Sequence, residues 1–424
     1  VRYRLAVVLG RAARFVLRLR GGGSAVPGRV VLAIAPRFLE RAVSRLPLGV
    51  IFVSGSNGKS TTTNMLTGIL REHGLDVFTN PSGGNLPQGI ASAMLASVPL
   101  DGFVRGDVAV IEVDEAYGVA LAERLKPTAV LLLNIQIDQL NRFFEPARVV
   151  DMLRQVGAAA RTVLVVNADD DNLRRIGEEL TTPTRRTASF RVATEIIAGS
   201  PHGLANVEDF VDDPGAAART DSAVVVTALD GREATIEVAN TPFAVALPAR
   251  GLHYAVDAAG AVAMAAELLG TRFSPDAASR AMAGLRTVYG RGETLTVQGE
   301  EIEIIMMKNP PSLQLNLDYL GAAPQQVFLA VDEGTPDPSW IYDIDFSSLD
   351  HVDVVSGTKA WQFATRLGYA DIPVGSVLPE LKEALAAFLR LPRPSTGVKT
   401  MIVNYEQMML IRKQLGFLDL EGGS

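Results

Sequence analysis

Apolar and polar positions change rhythm several times along this 424-residue chain. From residue 49 to about 180, short apolar runs alternate with stretches in which apolar residues recur at helical spacing. The runs at 50–53, 76–79, 108–111, 129–133 and 163–166 predict strands. The stretches at 61–73, 88–97, 119–125, 146–160 and 172–180 predict helices. Such alternation implies a mostly parallel sheet with helices on both faces, and places ligands at the carboxyl ends of the strands. The rhythm is lost over 181–222, which is rich in Thr, Ala, Asp, Pro and Gly and predicts an irregular insertion. Short strands at 223–227, 234–238 and 243–247 predict a small antiparallel patch, followed by helices at 253–269 and 275–285. After Gly290-Arg291-Gly292 a second alternating unit begins, with strands at 302–307, 326–331, 351–355 and 398–403. Its helices are expected at 312–320, 360–367, 378–389 and 405–415. The expected organisation is therefore a basic helical segment (1–48), a larger α/β domain (49–293, with the insertion at 181–222), and a smaller α/β domain (294–424).

The first strand runs into Gly55-Ser56-Asn57-Gly58-Lys59-Ser60-Thr61, and a helix follows. A glycine loop between strand and helix aims backbone N–H groups and a helix N-terminus at an anion. Lys59 can reach outer phosphates, and the Ser60 hydroxyl can ligate Mg²⁺. A nucleoside triphosphate is the expected ligand. The general phosphate loop would place a glycine at position 53; Val53 stands there, and the first glycine is Gly55.

Other strand ends carry candidate chemistry. Glu112 and Glu115 follow the strand at 108–111 and are placed to hold Mg²⁺, Glu112 first. Asn80 to Gly89 is a polar, glycine-rich loop in which Ser82, Asn85 and Gln88 could bind substrate or the transferred phosphoryl group. Asn134-Ile135-Gln136-Ile137-Asp138-Gln139 follows the next strand. Lys308-Asn309-Pro310 closes the first strand of the last unit, and Trp340 and Tyr342 stand beside Asp343 and Asp345.

Composition narrows the classes. With no cysteine, disulfides and cysteine-held zinc or iron–sulfur sites are excluded, and four histidines make a His-rich metal centre a poor fit. No run is expected to reach the length of a membrane span. The net charge is −7, yet the first 49 residues hold ten Arg against one acid, Glu40. Arg2, Arg4, Arg11, Arg14 and Arg18, with Val7, Val8, Phe15 and Val16 between them, predict a basic amphipathic helix. It either rests on anionic lipid or packs, solvated, on the body of the protein.

The short G-x-N-G-K-S-T form of the loop resembles the Mur ligase and folylpolyglutamate synthase superfamily. The likeness extends to Gly251-Leu252-His253, similar to a helix start that contacts adenine, though Tyr254 and Asp257 replace two Asn. It extends also to Gly290-Arg291-Gly292-Glu293, similar to a turn whose Arg reaches the nucleotide phosphates. Gln139 replaces a metal-binding His, so a second metal is left open, with Asp138 as a substitute. Lys308-Asn309-Pro310 and Ser339 to Phe346 resemble, more narrowly, the MurT family of ligase subunits; Pro311 departs from its pattern.

The resemblance implies an ATP- and Mg²⁺-dependent ligase that makes an acyl phosphate of the D-glutamate α-carboxylate in the lipid II stem peptide. Ammonia then gives D-isoglutamine. A GatD-type glutamine amidotransferase subunit would supply the ammonia in a heterodimer, with Asp343 completing the partner's centre and Asp345 and Asp337 behind it. Lys59 and Asp343 are the implied catalytic residues. His253 and Arg291 join the loop in holding nucleotide, and Lys308 and Asn309 join Ser82 and Asn85 as substrate candidates. No zinc and no nucleic acid are expected. The implied location is cytoplasmic, at the inner membrane surface. A stand-alone amino-acid ligase and a non-catalytic nucleotide-binding scaffold are the alternatives.

Overall fold

The computed structural model describes residues 2–19, 25–80, 84–136, 146–200, 202–204, 222–285, 291–318, 320, 323–333 and 339–417. Helices α1 (Arg2–Leu19), α2 (Val26–Ile34) and α3 (Phe38–Val43) come first. There follow β1 (Val50–Ser54), α4 (Lys59–Glu72), β2 (Val77–Thr79), α5 (Pro87–Ser97), β3 (Val108–Glu112) and α6 (Glu115–Leu125). Then come β4 (Ala129–Leu132), α7 (Pro146–Ala158), β5 (Val163–Asn167), α8 (Asp171–Leu180), β6 (Arg186–Val192) and α9 (Thr194–Ala198). Strands β7 (Val224–Asp230), β8 (Glu233–Val238) and β9 (Thr241–Ala246) precede α10 (Leu252–Leu269) and α11 (Pro275–Ala283).

These strands form one sheet in the order β2-β3-β1-β4-β5-β6-β7-β8-β9, parallel up to β7 and antiparallel beyond it. The chain leaves β1 toward β2 on one side and returns to β4 on the other. The carboxyl end of β1 is therefore a switch point, where the crevice of an open α/β sheet lies. β1 is buried throughout, and its side chains divide between two cores. Ile51 and Val53 pack with α4, α10 and α11, while Val50 and Phe52 pack with helices of the opposite face, α1 to α3 and α5 to α8 among them. Burial on both faces explains the unbroken apolar run.

Two expectations are corrected here. The stretch expected to be irregular holds β6, a strand of the main sheet paired in parallel with β5 and β7. Its Phe190 and Val192 are buried, but Arg186, Thr187 and Ser189 before them and Arg191 between them dilute the apolar signal. Secondly, Leu252–Arg272 is apolar and long enough to cross a membrane, with 78% of that window buried within the fold. An apolar surface on all sides suits a helix wedged between a sheet and its neighbours; α10 packs on α4 and on β5 to β7.

The second sheet contains β10 (Arg291–Val297), β11 (Glu300–Met306), β12 (Val327–Ala330), β13 (Val352–Ser356), β14 (Val374–Val377) and β15 (Lys399–Val403). Its order is β10-β11-β15-β12-β13-β14, with only the β10–β11 pair antiparallel. Helices α12 (Pro310–Asp318), α13 (Ala360–Tyr369), α14 (Leu381–Leu389) and α15 (Tyr405–Gln414) cover it in two separate cores. β10 begins at Arg291, ahead of the boundary expected at 294.

Candidate active site

Gly55 leaves β1 at φ +142°, and Gly58 caps α4 at φ +81°, both in backbone regions that favour glycine. A Cβ on Gly55 would come within 3.0 Å of the Leu133 Cβ, and one on Gly58 within 2.1 Å of the Asp257 Oδ1. The loop between them is pinned to the segment that follows β4. The Ser56 N–H donates to the Asn134 carbonyl at 3.0 Å, and the Asn57 N–H to the Asn134 Oδ1 at 2.9 Å. The Gln136 N–H donates to the Ser56 Oγ at 3.0 Å, and the Asn57 Nδ2 to the Gln136 Oε1 at 2.6 Å. Helix α4 opens at Lys59, so its first amides, which have no partners within the helix, face the same end.

Two carboxylates flank the helix start. Glu112 ends β3, directly beside Val53 of β1, and its Oε2 accepts from the Ser60 Oγ at 2.6 Å. Its Oε1 accepts from the Asn85 Nδ2 at 3.2 Å, and Asn80 brackets its backbone from both sides. Glu115 is a first-turn residue of α6, and its Oε1 lies 3.2 Å from the Lys59 Nζ in a buried ion pair. Lys59 also donates to the Gly55 and Ser56 carbonyls. Mg²⁺ is commonly held by one or two protein oxygens together with phosphate and water. The Ser60 hydroxyl and the Glu112 carboxylate, hard oxygens within hydrogen-bond reach of each other, suit that role. Among the described residues no three His, Asp or Glu gather as a metal cluster.

The second sheet closes over the loop through the turn between β11 and α12. The Lys308 Nζ donates to the Ser56 carbonyl at 3.1 Å. Asn309 and Asn57 exchange amide hydrogen bonds of 3.1 and 3.3 Å. Further out, the His202 Nδ1 lies 3.0 Å from the Asp318 Oδ1 at the end of α12. An open cleft lies between the two units. The loop and α10 line it with Asn57, Thr61, His253, Tyr254 and Asp257, and the second unit with Met306, Lys308 and Ser312. His253 and Tyr254 rings sit 4.3 Å apart, tilted by 41°. Glu303 of β11 is held above the usual carboxylate range by burial, partly offset by the Arg250 guanidinium.

Of the residues expected from the sequence, the structure brings together those of the loop, Glu112, Glu115, Asn85, His253, Lys308 and Asn309. Gln88 stands in the first turn of α5. Ser82, Asp138, Gln139 and Asp337 lie outside the described residues, as does the Arg291 side chain at the head of β10. Asp343 closes a 3₁₀ turn, Ser339–Asp343, and is exposed. Asp345, also exposed, is pulled below the usual range mainly by the Ser347 backbone N–H. Neither joins the loop. Asn134, Gln136 and Asn80 were not singled out; their one signal was a polar residue directly after a strand.

A family model described as Mur ligase middle domain matches residues 53–264, half of the chain. The chain belongs to the Mur ligase family. A second model, MurT ligase C-terminal, matches residues 306–408 of this ligase. Across 415 aligned residues it is 26% identical to the MurT subunit of lipid II isoglutaminyl synthase (glutamine-hydrolyzing) from Streptococcus pneumoniae, covering 88% of each chain. MurF from Acinetobacter baumannii superposes with a TM-score of 0.67 at 19% identity, covering 91% of this chain and 79% of that one. MurF from Thermotoga maritima, solved in complex with ADP, gives 0.64 at 17% identity, covering 92% and 83%. With these kin the ligase is an ATP-dependent carbon–nitrogen ligase built as a Mur-type α/β domain followed by a smaller α/β domain.

Proposed function

We propose that this ligase is the ATP-using subunit of a lipid II isoglutaminyl synthase. It amidates the D-glutamate α-carboxylate of the stem peptide with ammonia released by a GatD-type glutaminase partner, at the cytoplasmic face of the membrane. One observation carries the reading: a MurT-type C-terminal unit places Lys308 and Asn309 on the phosphate loop of a Mur-type domain.

The chemistry needs charge neutralisation and positioning more than covalent help. The substrate carboxylate oxygen attacks the γ-phosphorus of ATP, and ADP leaves with the bridging electron pair. Ammonia then attacks the acyl carbon of the resulting acyl phosphate, loses a proton, and expels inorganic phosphate. The loop amides and Lys59 hold the phosphoryl oxygens, with Arg291 as a further cation. Mg²⁺, held by Ser60 and Glu112, would neutralise phosphate charge when bound. Gly58, His253 and the α10 start form the wall for the nucleotide, and Lys308 and Asn309 hold the carboxylate side of the cleft together with Asn85; Ser82 is a further substrate-binding candidate. Closing the two units over the cleft keeps water from the acyl phosphate. Asp343, exposed on the second unit, serves the partner's glutaminase centre, so Asp343→Asn lowers glutamine hydrolysis while ATP binding persists.

The test is reconstitution with the partner, lipid II, glutamine and ATP, read by mass spectrometry of the stem peptide. The expected product has an amino group where a hydroxyl stood. A complex that assembles and binds ATP but leaves the peptide mass unchanged contradicts the proposal.

A further inference from the structure

The first helix carries two unlike faces. Ala6, Val7 and Gly10 are buried against α2 and α5, so closely that a Cβ on Gly10 would lie 2.4 Å from the Val31 Cγ2 and 2.7 Å from the Leu95 Cδ2. The other face holds Leu5, Val8, Leu9, Phe15 and Val16 at helical spacing, all exposed, with Phe15 at 66% and Leu5 at 51%. Single exposed apolar residues need no explanation, but five on one helical face do. Exposed Arg4 and Arg11 border the stripe on one side and Arg2 on the other; Arg11 also donates to the Leu95 and Val98 carbonyls and Arg2 to the Ile34 carbonyl, so these two offer only part of their guanidinium outward. No acid occurs before Glu40, and that one is engaged by Arg124 at 2.8 Å. An apolar stripe rimmed by arginines is complementary to a bilayer surface of anionic lipid, with the stripe among the acyl chains and the guanidinium groups at the phosphates.

The position of this face gives it a use. Helix α5, on which α1 rests, starts two residues after Asn85, whose amide contacts Glu112 beside Ser60. Helix α2 is locked onto the same helix: the Gly28 N–H donates to the Ser92 Oγ at 2.8 Å, and a Cβ on Gly28 would meet the Gln88 carbonyl at 1.9 Å. We infer that α1 docks the protein flat on an anionic membrane, with α5 as the strut between the membrane and the active site. The docking itself rests on the helix alone; its value for a lipid-linked substrate rests on the function proposed above.

The purified full-length protein is sedimented with vesicles of phosphatidylglycerol and phosphatidylcholine in equal parts, and with vesicles of phosphatidylcholine alone. It should pellet with the first and not the second, and high salt should release it. Phe15→Asp and Val8→Asp should each lower the bound fraction about tenfold, and Arg4→Glu less, all with unchanged melting temperature. Where Phe15→Asp itself lowers the melting temperature, Phe15→Ser replaces it. No pelleting with the anionic vesicles, or variants that pellet like the parent, overturns the inference. So does a dimer on size-exclusion that Phe15→Asp splits without any change in vesicle binding, since the face then joins two copies. Vesicle binding without amidation leaves the inference standing and removes the proposed reaction; amidation of detergent-solubilised substrate without vesicle binding does the reverse.

Discussion

The Lys308 Nζ lies 3.1 Å from the carbonyl of Ser56, although 252 positions separate the two residues. The contact brings a cation of the second sheet to the phosphate loop of the first, and Asn309 doubles it through its paired amides with Asn57. Both residues sit on the turn between β11 and α12, so the second unit meets the loop by one short segment. Lys308→Ala should lower kcat/KM about a hundredfold, as expected for lost alignment of reacting groups. ATP affinity, read by fluorescent-nucleotide titration, should change much less. Lys308→Arg should not restore the rate, because a planar guanidinium does not replace a compact ammonium at this carbonyl. A loss of ATP affinity as large as the loss of rate would place Lys308 in nucleotide binding instead.

Glu112 and Glu115 divide their work by what they touch. Glu112 meets a hydroxyl and an amide, whereas Glu115 meets the Lys59 ammonium in a buried pair. Glu112→Gln should therefore raise the Mg²⁺ concentration needed for half-maximal activity about tenfold, the loss of one hard anionic oxygen. Glu115→Gln should leave that requirement unchanged and lower the melting temperature, because it strands a buried cation. Lys59→Ala should reduce turnover about a thousandfold through lost charge at the phosphoryl group. Magnesium titrations of the two glutamine variants decide the assignment; equal shifts would put both carboxylates at the metal.

Much of this site was legible because the strand–loop–helix unit is local. Eleven consecutive positions from Val53 to Thr63 carry the strand end, both glycines, the lysine and the hydroxyl, and the chain supplies their order. Asn134 and Gln136 were not legible as clamps, since their partners Ser56 and Asn57 lie on a neighbouring strand's loop and only the sheet order brings them together. Strand β6 escaped for a different reason: Arg186 and Ser189 precede Phe190, Arg191 separates it from Val192, and β-pattern reading weakens where one face is half wet. Helix α10 was legible as a helix, though not its full apolar length, and burial on all sides selects the same residues as burial in lipid.

The link between β10 and α15 makes a separate prediction about stability. Arg412, 3% exposed, donates to Glu293 in a largely buried ion pair that ties the strand after the inter-sheet turn to the last helix. Removing one partner leaves the other charge buried. Glu293→Ala or Arg412→Ala should each cost about 3–5 kcal/mol, measured by denaturant unfolding. The double change Glu293→Leu with Arg412→Met should cost much less than the sum. Additive losses would mean that the two side chains act independently.

Glu303 gives the fold a pH dependence of defined sign. Burial raises its value in the folded protein above the ordinary 4.5, and Arg250 reverses only part of that. Between the ordinary and the raised value, the folded protein keeps a proton that the unfolded chain has already released. Stability from this residue is therefore present at the acid end of that window and falls as pH rises through it. Glu303→Gln should remove the fall, leaving the variant about 2–4 °C more heat-stable than the parent near neutral pH and level with it near pH 4. Arg250→Gln should steepen the fall, because the guanidinium that offsets part of the burial is gone. Melting curves of the parent and both variants across that range test the sign directly, and a parent that gains stability relative to Glu303→Gln as pH rises would reverse it.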